Sequence, residues 1–220
     1  MIKGFLFDLD GVIVETAIFH YQAWRKMAND LGFDISEEFN EGLKGVSRMD
    51  SLNLILEHGN VVLSEEEKLD LAAKKNEHYL TLVGKMTAND ILPGVREFFA
   101  QIKQTDIKIA LGSVSKNARM ILEGVGLIND FDAIIDGTKI LKGKPDPEVF
   151  LKGAAELGLS PEECLVFEDA VAGVEAGKNA GMKVVGVLSS HTKEELPPCD
   201  FYINDYSEVS VDKILELLNS

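Results

Sequence analysis

The chain has 220 residues, 45% apolar and 27% charged, enough to bury a real core in one large domain or in a core with a smaller insertion. Lys and Arg number 22 against 37 Asp and Glu, and a formal net charge of −15 argues against nucleic acid or an anionic membrane as partner. Cys164 and Cys199 form no motif, the four histidines are scattered without HExxH or CxxC, and no apolar run approaches a membrane span. Met1-Ile2-Lys3 opens nothing that resembles a secretory leader, so the expectation is a cytoplasmic protein in a reducing compartment.

The first element is a short apolar run, residues 2–7, that turns within two residues into Asp8 and Asp10 followed by Gly11. It reads as a buried strand delivering two acids to a tight loop. Ligands of open α/β sheets sit beyond the carboxyl ends of the strands, which places both acids at the mouth of a site. One carboxylate can serve as nucleophile and the other as acid/base if a cation offsets their repulsion. On its own DxDG serves equally well as an Asx turn.

From about residue 17 to 82 the sequence is helical. Residues 17–31 carry His20, Trp24, Met27 and Leu31 at helical spacing, closed by Gly32. His20 and Trp24 share a face, and by themselves read as packing. A short helix over 37–43 leads into Lys44-Gly45-Val46-Ser47-Arg48 and an amphipathic helix ending near His58. That loop has the form of an anion cradle, with free N–H groups beside a guanidinium, but many helices begin so and bind nothing. Ser64 and Glu67 make a capping box for a helix to about Val83. Lys74 and Lys75 on it read as solvated, unless one turns inward.

A polar connector, 87–92, precedes Pro93-Gly94 and a helix over Val95, Phe98, Phe99 and Ile102. Strands and helices then alternate. A strand over 107–111 ends in Gly112-Ser113-Val114-Ser115, with a helix after Lys116-Asn117; a strand over 133–135 ends in Asp136-Gly137. Residues 142–147 introduce a helix through Phe150 and Leu157, and a strand over 164–167 ends in Glu168-Asp169. A glycine-spaced helix over 173–180, strands over 184–187 and 201–203, and a helix over 211–218 complete the chain. The fold class is α/β: a doubly wound (Rossmann-like) parallel-sheet core with an inserted helical cap domain. The expected division is 1–14 and 88–220 for the core and 15–87 for the cap, with the two crossings as a hinge.

Asp8 and Asp10, Ser113, and Glu168 with Asp169 stand at three strand ends, while Lys144 opens a helix after another. Carboxylates from separate strands make an all-oxygen site suited to Mg²⁺, and Lys144 with the Ser113 hydroxyl offers donors to a phosphate. A P-loop is excluded, because Gly137 to Lys144 is misspaced and Pro145 stands where a hydroxyl residue is required.

Asp8-Leu9-Asp10-Gly11-Val12, Ser113, Lys144 and Glu168-Asp169 together resemble the four-part signature of the haloacid dehalogenase-like superfamily over essentially the whole chain. His20, Trp24, Lys44 to Arg48, Ser51, Lys75, the stretch Ser113 to Asn117 and Lys144-Pro145 narrow the resemblance to its β-phosphoglucomutase family. The resemblance implies isomerisation of β-D-glucose 1-phosphate to the 6-phosphate through a bisphosphate. It implies Asp8 as nucleophile, Asp10 as acid/base, and Thr16, His20 and Lys75 as groups that ready Asp10. Mg²⁺ is implied at Asp8, the Asp10 carbonyl and Asp169, with Glu168 in its shell. Trp24, Gly45, Val46, Ser47, Arg48, Ser51, Ser113, Val114, Ser115, Lys116, Asn117 and Lys144 are the implied sugar and phosphate contacts. A sugar-phosphate phosphatase would use the same core and differ in admitting water. The implied partner is a small sugar phosphate, and no leftover apolar helix calls for a second copy, so a monomer is expected.

Overall fold

The computed structural model describes residues 1–43 and 46–219. Among them, six strands form one parallel sheet in the order β3-β2-β1-β4-β5-β6. These are β1 (Gly4–Phe7), β2 (Lys108–Gly112), β3 (Ala133–Ile135), β4 (Cys164–Glu168), β5 (Lys183–Val187) and β6 (Phe201–Ile203). Side chains alternate across a strand, and β1 uses both faces. Phe5 and Phe7 point into one apolar cluster, Leu6 into the other, and all three are fully buried. Each such large side chain contributes about 1.5–3 kcal/mol by leaving water.

The first face is covered by α5 (Val95–Ile102), α6 (Ala118–Val125) and α9 (Val211–Asn219), through Phe98, Phe99, Ile121, Leu122 and Ile214. Stacking of Phe7 on Phe167, centroids 4.5 Å apart, locks β1 to β4 there. The second face is covered by α7 (Glu148–Leu157) and α8 (Val171–Asn179), through Val149, Phe150 and Val174. The strand order reverses about β1, so the crevice at the carboxyl ends of β1 and β4 is the switch point where such sheets bind ligands.

Between β1 and β2 the chain inserts α1 (Ala17–Asp30), α2 (Glu37–Glu41), α3 (Arg48–His58) and α4 (Glu65–Val83). These have a core of their own, built on Trp24, Met27, Ile35, Leu52, Ile55 and Ala72. Ser36, Ser47 and Ser64 accept hydrogen bonds at three of the four helix starts, and Ser64 with Glu67 completes the expected capping box. The outgoing and returning crossings are laced together, with Leu92 N–H donating to Ile13 C=O at 2.9 Å and Val14 bridging Ile91.

Boundaries of α2, β2, α8 and β5 differ from expectation by one or two residues, and two further differences have a visible cause. The connector over 87–92 contains a 3₁₀ turn, Ala88–Asp90, because Thr87 and Asp90 cap it reciprocally. β4 runs one residue further, since Glu168 still pairs with Gly186 of β5. Among the described residues no helix is long and apolar enough to cross a membrane.

Candidate active site

Strand register assembles the first part of the site. Phe7 lies abreast of Leu111 and of Phe167, so the next residue of each strand, Asp8, Gly112 and Glu168, reaches the same level. Asp8 N–H donates to Phe167 C=O at 3.1 Å and holds that alignment. Oxygens of Asp8, Glu168 and Asp169 all lie within 4.8 Å of one another, and all three residues are buried. Lys144 donates to Asp8 Oδ1 at 2.5 Å and also to Glu168. The backbone N–H groups of Asp169 and Ala170 donate to Glu168 Oε2 at 2.9 and 3.1 Å.

Three carboxylates share one ammonium in this cluster. Burial works against the Lys144 charge, yet Asp8 and Glu168 outweigh it and hold the lysine above its ordinary value. Burial, then the charges of Glu168 and Asp8, push Asp169 well up, while a hydrogen bond with Ser190 pulls it back. Burial also raises Glu168 against the pull of Lys144. An all-oxygen, charge-deficient cluster of this kind fits a hard divalent cation, which would favour the ionised forms of Glu168 and Asp169.

Two glycines make the cluster possible. Gly11 has φ +74°, and a Cβ there would fall 2.1 Å from Asp169 Oδ2. A Cβ on Gly173 would fall 1.8 Å from Glu168 Oε1, so the glycine-spaced helix is a close approach to the acids as well as to the sheet.

The Asp10 side chain stands outside the cluster and meets the Thr16 hydroxyl, which donates to Asp10 Oδ1. Burial first, and the neighbouring Asp8 charge second, push its carboxyl up to about 8 against Lys144. From the insertion, the Lys75 ammonium reaches His20 Nδ1 at 3.2 Å and lies 4.0 Å from the centre of the Trp24 ring. Lys75 is 5% exposed and its neighbour Lys74 is solvated, so one lysine of the pair does turn inward. Burial and Arg48 push Lys75 down to about 7, and burial and Lys75 hold His20 well below its usual range. The Trp24 indole packs in the insertion's core while its ring also lines the site, so packing and site roles coincide there.

A cavity of about 760 Å³ lies between sheet and insertion, lined from below by Asp8, Asp10 and Asp169 and from above by His20, Trp24 and Lys75. At its rim Arg48 Nη2 donates to Asn76 Oδ1 at 2.7 Å, and Asn117 Nδ2 donates to the same oxygen at 2.9 Å. Val46, Ser47, Ser51, Val114, Ser115 and Lys116 also face this cavity. Ser113 is fully buried, and its hydroxyl accepts from Ser115 N–H at 3.1 Å, leaving its own hydrogen to donate. Gly45 lies outside the described residues.

Asn76, Tyr79, Ser190 and His191 were not singled out from sequence. His191 Nδ1 lies 2.9 Å from the Asp169 carbonyl oxygen, and the Tyr79 ring lies against His20, tilted by 34° with centroids 4.2 Å apart. Helical spacing from Lys75 was the available signal for Tyr79, four residues on and on the same face. For Ser190 and His191, at the end of β5, the signal was the rule that strand ends carry site residues.

Residues 2–181 match the model for haloacid dehalogenase-like hydrolases, and the chain belongs to that family. Within it the chain closely resembles β-phosphoglucomutase. It is 46% identical over 187 residues to β-phosphoglucomutase of Bacillus subtilis (strain 168), covering 84% of this chain and 83% of that one. The crystal structure of β-phosphoglucomutase from Clostridium difficile superposes with a TM-score of 0.95 at 44% identity, covering 100% of this chain and 98% of that one. The phosphorylated carbohydrates phosphatase of Thermotoga maritima is 30% identical over 192 residues, 86% of each chain.

Proposed function

We propose that this chain is a phosphomutase interconverting β-D-glucose 1-phosphate and β-D-glucose 6-phosphate through β-glucose 1,6-bisphosphate. The observation that carries the reading is the contrast between Asp8 and Asp10. Two residues apart, one is ion-paired to Lys144 inside the acid cluster, while the other is pushed up to about 8 and turned toward Thr16 and the insertion. Such a pair suits a nucleophile beside an acid/base. The likeness to β-phosphoglucomutases supports the choice of sugar.

In this reading, Asp8 carries an aspartyl phosphate. Asp10 takes the proton from the 6-hydroxyl of bound β-glucose 1-phosphate as the phosphoryl group passes from Asp8 to that oxygen. The bisphosphate then returns in the opposite orientation. Asp8 accepts its 1-phosphoryl group and Asp10 protonates the departing sugar oxygen, which regenerates the starting enzyme. Ser113, Asn117 and Lys144 align the transferring group, and Arg48 and Lys116 hold the other phosphate. Asp8, the Asp10 carbonyl and Asp169, with Glu168 supporting, would hold Mg²⁺, which would supply positive charge to the phosphoryl oxygens. Residues 15–87, treated as a cap domain hinged at the laced crossings, exclude water from the aspartyl phosphate. The enzyme acts as a cytoplasmic monomer on a small sugar phosphate.

The test is a phosphorus NMR time course with β-glucose 1-phosphate, Mg²⁺ and a trace of the bisphosphate. Glucose 6-phosphate should accumulate while inorganic phosphate stays minor. The Thermotoga maritima relative favours a phosphatase as the second reading, and inorganic phosphate as the sole product would select it.

A further inference from the structure

Asn76, on α4, joins the insertion to the core through one oxygen. Its Oδ1 accepts from Arg48 Nη2 of α3 at 2.7 Å and from Asn117 Nδ2 of the core at 2.9 Å, so both lone pairs of that oxygen are engaged. All three residues line the cavity. Asn117 stands at the N-cap position of α6 and makes no capping bond. An asparagine there ordinarily accepts from the first turn of its helix, so its turn toward Asn76 forgoes a stabilising contact. Arg48 is half-buried, and a carboxylate is the usual partner of a guanidinium in such a place. Here a neutral amide stands instead. Burial pulls the Arg48 guanidinium below its ordinary value, and the Tyr79 phenol, rather than a carboxylate, acts against that.

We propose that Asn76 is a positioning residue that holds Arg48 and Asn117 together as a preformed pair of phosphate donors while leaving the positive charge of Arg48 uncompensated. The amide oxygen fixes the guanidinium through one N–H, and Arg48 has four others to offer a ligand; Asn117 keeps a second amide hydrogen. Donors held in place before the ligand arrives need no ordering when it binds. An acid at the same position would bond Arg48 more strongly, but it would offset the guanidinium and repel a phosphate. The inference rests on the proposed reading, in which Arg48 takes the distal phosphate of β-glucose 1-phosphate and Asn117 the transferring group.

Asn76→Asp and Asn76→Ala separate anchoring from charge. The acid keeps an acceptor for both donors, so the melting temperature of Asn76→Asp should equal or exceed that of the wild type. Its KM for β-glucose 1-phosphate should nonetheless rise by more than about tenfold, because the charge that meets the phosphate is offset. Asn76→Ala releases both donors, and its KM should rise about three- to tenfold, the worth of one net hydrogen bond. A clasp that served structure alone would give the opposite order, with the acid the better substitute. A KM for Asn76→Asp at or below that of Asn76→Ala, a lower melting temperature for Asn76→Asp than for Asn76→Ala, or an unchanged KM in Asn76→Ala would overturn the proposal. Should the wild type release inorganic phosphate alone, the mutase reading falls, and the same order of KM values, read on the hydrolytic rate, still decides the part played by Asn76.

Discussion

At the scale of single residues, charge placement separates jobs that residue type alone does not. Asp10→Asn keeps size and shape but removes the proton that the raised carboxyl carries, and turnover should fall on the order of 10²–10⁴-fold, the reach of general acid/base catalysis. Steady-state rates on β-glucose 1-phosphate check this; near-normal turnover would give Asp10 another role. Lys75 offers a stability test with a definite sign. Its value falls from 10.5 to about 7 on folding, so between those pH values the unfolded chain binds more protons than the folded one, and stability rises with pH through that window. Lys75→Met should therefore raise the melting temperature most at pH 7 and below, with the gain fading toward pH 10.5. A gain that does not change with pH would mean that Lys75 is not held near neutrality. The DxDG acids were legible because they break an apolar run. The inward turn of Lys75 was not, because two adjacent lysines on a charged helix look alike until Trp24 and His20 of α1 are set against one of them.

At the scale of elements, β1, β3 and β6 follow from short apolar runs closed by Asp, Gly or Asn, and α4 from its capping box. Registers did not follow, since nothing local says that Phe7 stands beside Phe167, and so the meeting of Asp8 with Glu168 could be expected only from the order of strands. The glycine spacing of α8 lets Gly177 pack close to Val166 and Val184 of the sheet. Its further meaning, that Gly173 gives the Glu168 carboxylate room, needed the fold. Gly173→Ala tests that meaning. Lys144 and two backbone N–H groups fix the carboxylate, so it cannot yield to a Cβ 1.8 Å away. Stability should fall by about 1–3 kcal/mol, despite a helix propensity about 1 kcal/mol better than glycine's. Denaturant unfolding of the variant measures this, and a stability equal to or above wild type would show that α8 shifts freely.

At the scale of the whole molecule, a chain with net charge −15 sets Arg48, Lys75 and Lys116 around one cavity, with Lys144 bonded to Asp8 in its floor. Composition argues against polyanionic partners but could not reveal this local reversal, which depends on bringing residues 48 and 75 of the insertion together with residues 116 and 144 of the core. The reversal matters because phosphoryl transfer is governed by alignment and by offsetting charge on the phosphoryl oxygens. The cations divide between two places: Lys144 stands inside the acid cluster, bonded to Asp8 and Glu168, while Arg48, Lys75 and Lys116 line the cavity beside it.

Everything in this account turns on Asp8 becoming phosphorylated during turnover. The direct measurement is rapid acid quench of the enzyme with Mg²⁺ and ³²P-labelled β-glucose 1,6-bisphosphate, followed by peptide mapping. Label on the peptide carrying Asp8, chased into sugar phosphate by unlabelled β-glucose 1-phosphate and absent from Asp8→Asn, is the predicted result. Turnover with no label on Asp8 at any quench time would contradict the account.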